Sequence, residues 1–207
     1  MKQLAELSLP PVHVSRETED RLERFLELFL RWNARINLVS GNDPDVLRRR
    51  HIADSLQLLP LIPEGGGALV DLGSGGGFPG LVLAVALERP VHLVESDRRK
   101  AAFLQTVVGE LGLRHVVVHP LRIEALRLPP AGVVTARALA SLEVLLPWAA
   151  GLLAPEGVAI FPKGRTAADE LRAAEAAGWT MSVEQFKSST DPEATLFRMS
   201  GIRRDGA

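Results

Sequence analysis

The chain has 207 residues, 46% of them hydrophobic, which is enough to bury one sizeable core but leaves little room for a second full-sized domain. It contains no cysteine, which excludes disulfide frameworks, thiolate metal sites and covalent catalysis by a cysteine nucleophile. The formal net charge is −1, so any contact with a nucleic acid must come from local basic patches rather than from the overall charge.

Residues 1–64 are predicted to form a helical extension packed on the core. Apolar residues recur at three- and four-residue spacing from Ser15 to Leu38, which indicates an amphipathic helix that either Ser15 or Thr18 could cap. Asp43 followed by Pro44 is typical of a helix start and predicts a second helix from Asp45 to about Leu59.

No stretch of the sequence predicts export or membrane insertion. The most apolar run, Leu81 to Leu87, is far shorter than the roughly 18 residues that a membrane span needs. The N-terminus lacks the apolar centre and the small-residue cleavage site of a secretory signal. We therefore expect a cytoplasmic protein that makes no membrane contact, and we take a monomer as its oligomeric state.

From residue 65 to residue 207 the pattern predicts an α/β domain. Short apolar runs alternate with helix-length segments, as in a doubly wound, mostly parallel sheet with crossover helices. The expected strands are Ala68–Asp71, Val91–Glu95, His115–His119, Val133–Ala136 and Val158–Pro162. The expected helices are Pro79–Leu87, Asp97–Leu111, Leu139–Leu153 and Ala167–Ala177. Thr180–Phe186 and Ala194–Ser200 then predict an antiparallel hairpin, and by analogy this is the layout of Rossmann-like methyltransferases.

A glycine-rich loop between Val70 and Gly80 is the most specific feature of the sequence. It follows a predicted strand and opens a helix, so its glycines allow a sharp turn while the helix start supplies free N–H groups. A plain turn needs only one or two glycines. The loop therefore predicts a cradle for a ligand.

The loop alone leaves two ligands open. Gly75, Gly77 and Gly80 satisfy the G-x-G-x-x-G pattern of dinucleotide sites, and Glu95 lies at a suitable distance to bind a ribose. Asp71, in contrast, would repel a pyrophosphate and would suit the cationic amino acid and sulfonium of S-adenosylmethionine. The absence of tyrosine and the short segment after the fifth strand also disfavour a NAD-dependent oxidoreductase.

Two further positions complete the expected cofactor site. Glu95 ends the second predicted strand, where a fixed carboxylate is well placed to accept hydrogen bonds from two ribose hydroxyls. The tetrapeptide at residues 122–125 follows the third strand and would lie beside the adenine, although on its own it would pass as an ordinary turn.

Several short patterns resemble the RsmG family, also called GidB. They are WNARINLVS at residues 32–40, HIADSL at 51–56, DLGSGGGFPG at 71–80, the positions Glu95-Ser96, Lys100 and Phe103-Leu104, RIE at 122–124, TARA at 135–138 and FPKG at 161–164. The likeness spans residues 29–164, and its specific part is the polar patterns before the loop. Members of this family use S-adenosylmethionine to methylate N7 of a guanine in 16S ribosomal RNA.

The resemblance implies a set of site residues. Cofactor contacts are expected at Gly73, Ser74, Gly75, Phe78, Glu95, Ile123, Glu124 and Arg137. The guanine is expected to meet a catalytic set made of Asn37, His51, Arg122, Arg137 and Lys163. The implied partner is 16S ribosomal RNA, either naked or within the small ribosomal subunit or an assembly precursor, and no metal is implied.

Structural roles compete with functional ones at several of these positions. Asn33 fits a brace of the helix end, and Asn37 fits either role. His51 could be packed within a helix, but it follows three arginines, residues 48–50, whose charges suit a phosphate backbone, although basic runs are often solvated faces. Trp32 falls within the apolar arc of its helix and is expected in the core.

The chemistry of guanine N7 agrees with what the sequence contains. N7 has an in-plane lone pair and no proton to lose, so methyl transfer to it needs alignment more than a general base. Arg137 and Lys163 end the fourth and fifth predicted strands, where either could hold the guanine O6 or a phosphate. Another RNA or small-molecule acceptor, a non-catalytic cofactor-binding module and an oxidoreductase stay as alternatives.

Overall fold

The computed structural model describes residues 6–204 and 206, which form one sheet covered by helices. The strands are β1 (Glu6–Leu7), β2 (Leu69–Leu72), β3 (Val91–Val94), β4 (Val116–His119), β5 (Ala131–Ala136), β6 (Leu153–Lys163), β7 (Trp179–Lys187) and β8 (Thr195–Arg204). The α-helices are α1 (Arg16–Ile36), α2 (Pro44–Leu47), α3 (Asp54–Leu56), α4 (Gly80–Ala86), α5 (Arg98–Glu110), α6 (Leu142–Leu152) and α7 (Ala167–Ala176).

The order of the strands is β1-β7-β8-β6-β5-β2-β3-β4. Strands β2 to β6 run parallel to their neighbours within this group, whereas β8 is antiparallel to both β6 and β7. The α/β class, the doubly wound and mostly parallel sheet, and the C-terminal antiparallel hairpin are therefore confirmed. The chain leaves β2 toward β3 and later returns to its other side at β5, which creates a crevice at the carboxyl ends of β2 and β5, where open α/β sheets bind their ligands.

The sheet separates two hydrophobic clusters. Successive residues of a strand point to opposite faces, so in β2 Leu69 packs with α1, α4 and α5 while Val70 packs with α6 and α7. Phe25 and Phe29 of α1 lie 5.4 and 5.3 Å from the ring of Phe78 in the glycine loop, measured between ring centroids. The extension thus shares a core with the sheet. We propose that the Rossmann-like domain starts at residue 65 and that residues 1–64 are an extension of it rather than an independent domain.

The predicted helices of the extension both form. Ser15, rather than Thr18, caps α1, because its hydroxyl accepts a hydrogen bond from the Thr18 amide at 3.2 Å. The second predicted helix begins at Pro44 with Asp43 as its cap, but residues 48–53 wind as a π-helix between α2 and α3. Such π turns are frequent at functional sites, and this one carries His51.

Several element boundaries differ from the sequence prediction. Helix α6 begins at Leu142 rather than Leu139, because residues 137–141 form a loop in which Ala138 adopts a left-handed φ of 52°. Strand β6 starts at Leu153, five residues earlier than predicted, and β1 was not predicted because two residues cannot show an alternating pattern. Within residues 6–204 and 206, no helix is long and apolar enough to cross a membrane.

Candidate active site

The glycine loop follows the carboxyl end of β2, and its residues Gly73 and Gly75 are partly exposed. Gly73, Gly75 and Gly77 have φ angles of 66°, 53° and 88°, in the left-handed region where glycine is favoured. A Cβ built on Gly73 would lie 2.6 Å from Cδ1 of Leu139, so a side chain at this position would displace a residue that lines the neighbouring cleft. This geometry fits the close approach of a ligand to the main chain.

Glu95 is fixed beside the loop. Its side chain is buried, Oε2 accepts the Gly75 amide at 2.9 Å, and Oε1 accepts the Asp97 amide at 2.7 Å. Each carboxylate oxygen has two lone pairs, so both oxygens can accept one further hydrogen bond. The carboxylate therefore fits the expected pair of ribose hydroxyls, and together with the loop it forms a site that suits S-adenosylmethionine.

We expect Glu95→Gln to weaken the binding of S-adenosylmethionine by about 10-fold to 100-fold, because a hydrogen bond to a charged group contributes about 1.5–3 kcal/mol. The new amide NH2 would also face the N–H of either Gly75 or Asp97, so one donor would lose its acceptor. Isothermal titration measures the change. Asp97→Asn is the control, since its side chain caps α5 and lies outside the glycine loop. Equal affinities for the wild type and Glu95→Gln would contradict the ribose assignment.

Asp71 does not face the cradle, contrary to the sequence prediction. Its side chain is fully buried, Oδ1 accepts the Thr135 hydroxyl at 2.9 Å, and a Cβ on Gly80 would collide with Oδ2. Burial raises the pKa of Asp71 to about 6, although hydrogen bonding, including that from Thr135, opposes the rise. Asp71 therefore lies beneath the loop, and among the described residues its Oδ2 has no hydrogen-bond partner.

Arg137 lies at the centre of a cluster at the carboxyl end of β5. Its Nη1 donates to Oδ2 of Asp54 at 2.9 Å and to the carbonyl of Arg50 at 3.3 Å, and its Nη2 lies 3.0 Å from Nδ1 of His51. The guanidinium carbon lies 5.3 Å from the centroid of the Phe78 ring. The cluster thus joins two predicted acceptor residues, Arg137 and His51, to Phe78 of the glycine loop.

His51 is neutral in this cluster. Its ring stacks on Phe78 with centroids 4.9 Å apart, and burial, together with the charge on Arg137, lowers its pKa to about 4. Because the guanidinium can only donate, Nδ1 of His51 must accept, and the ring proton lies on Nε2. Nε2–H is then the polar atom that His51 can offer to an acceptor base.

We expect the ring of His51 to titrate with a pKa of about 4, far below its ordinary value of 6.5. A folded-state pKa below the unfolded one means that neutral His51 contributes stability above pH 6.5, and that this contribution is lost as the pH falls toward 4. Ring nitrogen NMR shifts followed from neutral pH downward measure the pKa. Arg137→Gln should raise it, and a wild-type ring that titrates near 6.5 would show that His51 is not packed in this way.

Lys163 is buried in an ion pair rather than free. Its Nζ donates to the carbonyl of Ala140 at 2.6 Å and lies 2.8 Å from Oε2 of Glu170. Burial alone would raise the pKa of Glu170, but hydrogen bonds from Lys163 and Thr166 bring it below its usual range. Lys163 therefore ties α7 to the loop at residues 137–141, which carries Arg137.

The other predicted residues are more dispersed. Asn33 braces the loop after α1, since its Oδ1 accepts the Val39 amide at 2.9 Å, and Trp32 packs against the core as expected. Asn37 is exposed and ends α1 with a left-handed φ of 52°. Arg122 and Glu124 are exposed, whereas Ile123 is partly buried. The Ser74 hydroxyl is turned inward, and it donates to the carbonyl of Asp71 at 3.0 Å.

A cleft of about 970 Å³ opens at the carboxyl ends of β5 and β6. Three predicted acceptor residues line it, namely His51, Arg137 and Lys163, whereas Asn37 and Arg122 lie outside its lining. Sequence reasoning did not identify Asp54, although the HIADSL pattern contains it. Among the described residues, no group of three or more His, Cys, Asp or Glu side chains is arranged to hold a metal ion.

The sequence matches a known family over most of its length. The family model described as GidB, rRNA small subunit methyltransferase G, matches residues 18–195. The chain is 59% identical to the ribosomal RNA small subunit methyltransferase G of Acidiphilium cryptum over 194 residues, which cover 92% of this chain and 88% of that protein. It is 54% identical to the protein of the same name from Rhodospirillum centenum, with 93% and 88% covered.

Solved structures share the fold at low sequence identity. A SAM-dependent methyltransferase from Aquifex aeolicus has a TM-score of 0.60 and 15% identity, covering 76% of this chain and 93% of that one. An O-methyltransferase from Bacillus cereus, solved in complex with SAH, has a TM-score of 0.59 and 17% identity, with 86% and 90% covered. These likenesses place the sheet and its helices in the Rossmann-like methyltransferase fold.

Proposed function

Because the chain belongs to the GidB family of rRNA small subunit methyltransferases, we propose that it methylates N7 of a guanine in 16S ribosomal RNA. Membership makes it an S-adenosylmethionine-dependent methyltransferase that acts on ribosomal RNA. The alternative of a NAD-dependent oxidoreductase therefore falls away. The choice of small-subunit RNA rests on the description of the family, and the choice of atom N7 is supported by the acceptor side of the site.

The observation that carries the proposal is the pairing of a fixed guanidinium with a neutral imidazole beside the glycine loop. Arg137 offers charge and His51 offers Nε2–H, and both are donors suited to the O6 acceptor of guanine, which neighbours N7 on the same edge of the base. Asp54 and Glu170, the half-buried carboxylates of the cleft, are held in ion pairs with Arg137 and Lys163. Transfer to N7 removes no proton, so it needs neither of them as a base.

The chain's own residues then act by alignment. The glycine loop and Glu95 hold the cofactor, Arg137 and His51 orient the base, and Phe78 of the loop stacks on the His51 ring. S-adenosylmethionine, when bound, supplies an electrophilic methyl group on its sulfonium. Holding two reactants in line can lower a barrier by about 7–11 kcal/mol, which is the main task left to such a site.

The proposal is tested by incubating the protein with labelled S-adenosylmethionine and small-subunit RNA, both naked and within small-subunit particles. N7 methylation makes a guanine labile to reduction and then to strand cleavage by aniline, so one new cleavage site should appear. RNA from cells that lack the protein should lose that site alone. Label on another atom, or preferential labelling of transfer RNA or protein, would refute the proposal.

The basic run at residues 48–50 supports contact with RNA at two of its three positions. Arg48 already pairs with Glu23 at 2.7 Å and with Asp45 at 3.0 Å, so we expect it, unlike its two neighbours, not to contact phosphates. Arg49 and Arg50 are exposed, and the side chain of Arg50 lines the cleft. Their charges are therefore available to phosphates next to the bound base.

Replacing Arg49 and Arg50 together by Ala should flatten the salt dependence of RNA affinity by about one unit of slope for each arginine. Arg48→Ala is the matched control. The Arg48 guanidinium already pairs with two carboxylates, so its removal should leave the slope unchanged. Filter binding over a range of salt concentrations measures all three proteins. An effect of Arg48→Ala half as large as that of the double variant would mean that the run acts only through its bulk charge.

We further propose a cytoplasmic location, because an RNA of the small ribosomal subunit is found there. A monomer stays the expected state, to be checked by light scattering. Both follow from the RNA substrate and from the sequence, and neither is needed for the chemistry.

A further inference from the structure

Asp54 uses both of its carboxylate oxygens. Oδ2 accepts from Nη1 of Arg137 at 2.9 Å, while Oδ1 accepts from Nε2 of Gln57 at 2.7 Å and from the Thr190 hydroxyl at 2.8 Å. The side chain of Asp54 is 15% exposed and that of Arg137 is 16% exposed, so solvent screens their attraction only partly. Asp54 therefore has a single well-defined orientation against Arg137.

Gln57 anchors this arrangement to the C-terminal hairpin. It is 4% exposed, its Nε2 reaches the hydroxyls of Ser188 and Thr190 at 3.1 Å each, and its Oε1 accepts the Ser189 amide at 2.8 Å. A buried amide so fully paired resists displacement, because each lost partner would leave a desolvated polar group. These contacts hold the turn at residues 188–190 against the extension, and Thr190 of this turn lines the cleft.

The same contacts use some of the donors of Arg137, which lines the cleft, and leave others free. Nη1 is occupied by Asp54 and by the carbonyl of Arg50, and Nη2 by His51. Within residues 6–204 and 206, Nε has no hydrogen-bond partner and one hydrogen of Nη2 is unused. Nε and Nη2 share one edge of the guanidinium, and arginine can bind a pair of acceptors through such an edge.

We propose that Asp54 is a positioning residue for methyl transfer, which, held by Gln57 and Thr190, orients Arg137 so that its Nε and Nη2 edge meets the acceptor base. The hairpin turn at residues 188–190 is accordingly part of the transfer site. This inference rests on the proposed function, because it assigns a task to Arg137 in that reaction.

The first test is a double-mutant cycle on the transfer rate. Asp54→Asn keeps the shape of the side chain but loses its charge, and it should lower kcat by about 10-fold to 100-fold while the Kd of S-adenosylmethionine stays within about 3-fold. In an Arg137→Met background the same change should have little further effect, since Asp54 acts through Arg137. Asp45→Asn, which removes an exposed carboxylate of α2, is the control. Additive effects, or a loss confined to cofactor affinity, would overturn the inference.

The second test needs no activity. A guanidinium held by Asp54, His51 and a carbonyl rotates slowly, so the wild-type protein should show separate Nη resonances for Arg137 by NMR, and Asp54→Asn and Thr190→Val should merge them. A wild-type spectrum with merged resonances would overturn the positioning role. If the resonances are separate but small-subunit RNA accepts no label, the proposed function fails while the anchoring of Arg137 stands.

Discussion

Replacing Gly73 by Val is expected to abolish the binding of S-adenosylmethionine while the protein stays folded. Gly73 has a φ of 66°, and a β-branched residue in this left-handed region costs at least about 1–2 kcal/mol of strain. The new side chain would also collide with Leu139, and we expect it to enter the space that the loop offers to the cofactor. The strain is a modest fraction of the stability of a domain, whereas the loss of space removes the site itself.

Gly112→Val separates these two effects. Gly112 has nearly the same backbone conformation, with a φ of 62°, but no atom lies within 4 Å of a Cβ built there. It precedes β4, at the amino end of the parallel strands, whereas the glycine loop lies at their carboxyl end. We expect both variants to lose similar thermal stability and only Gly73→Val to lose cofactor binding in isothermal titration. Normal affinity in Gly73→Val would sink the assignment of the loop.

The part of this site that residue spacing alone predicted is the part that is local, whereas the acceptor residues were expected only from the family resemblance. The glycine loop and Glu95 belong to strand ends, and a run of β2, loop and α4 can be inferred from glycines and apolar spacing alone. Asp97 after Glu95 caps α5 in the same local way. These features need no knowledge of what packs against them, and their placement in the structure agrees with the prediction.

The contacts of Asp54 could not be predicted in this manner. It meets Arg137 across 83 residues and Thr190 across 136 residues of sequence. No periodicity connects positions so far apart. From the sequence alone Gln57 is an ordinary helix residue, and its burial under the hairpin turn is visible only in the structure. The burial of Asp71 was misjudged for a related reason, because the sequence places it at a strand end but does not show that α4 begins directly above it.

Lys163 illustrates how a correct position can conceal a partner. Its place at the end of β6 predicted a cation near the acceptor, and it does line the cleft. The sequence offered no reason to pair it with Glu170 in α7, since an acidic residue in the first turn of a helix is explained by the helix dipole alone. Lys163 can therefore act in two ways: Nζ can contact the acceptor, or it can hold the loop at residues 137–141.

Lys163→Met is expected to slow methyl transfer by about 100-fold while the affinity for S-adenosylmethionine changes only a few-fold. Nζ bonds the carbonyl of Ala140, so its loss frees the loop that carries Arg137, and it also removes a cation from the acceptor cleft. The change leaves Glu170 as an unpaired half-buried charge, which can cost about 3–5 kcal/mol when a fully buried pair is broken and less here, where the Glu170 side chain is 21% exposed. Thermal unfolding should therefore shift downward together with the rate.

Combining Lys163→Met with Glu170→Gln separates contact with the acceptor from support of the loop. The double variant has no unpaired charge, and the Gln side chain keeps an oxygen that can accept the Leu142 amide, which now donates to Glu170 at 3.0 Å. We expect the double variant to regain most of the free energy of unfolding, because the desolvated carboxylate is gone. Its single-turnover rate with small-subunit RNA should nevertheless stay low, since no cation replaces Nζ beside the base. If the rate recovers together with the stability, Lys163 acts through Glu170 and the loop, and the guanine is held by Arg137 and His51 without it.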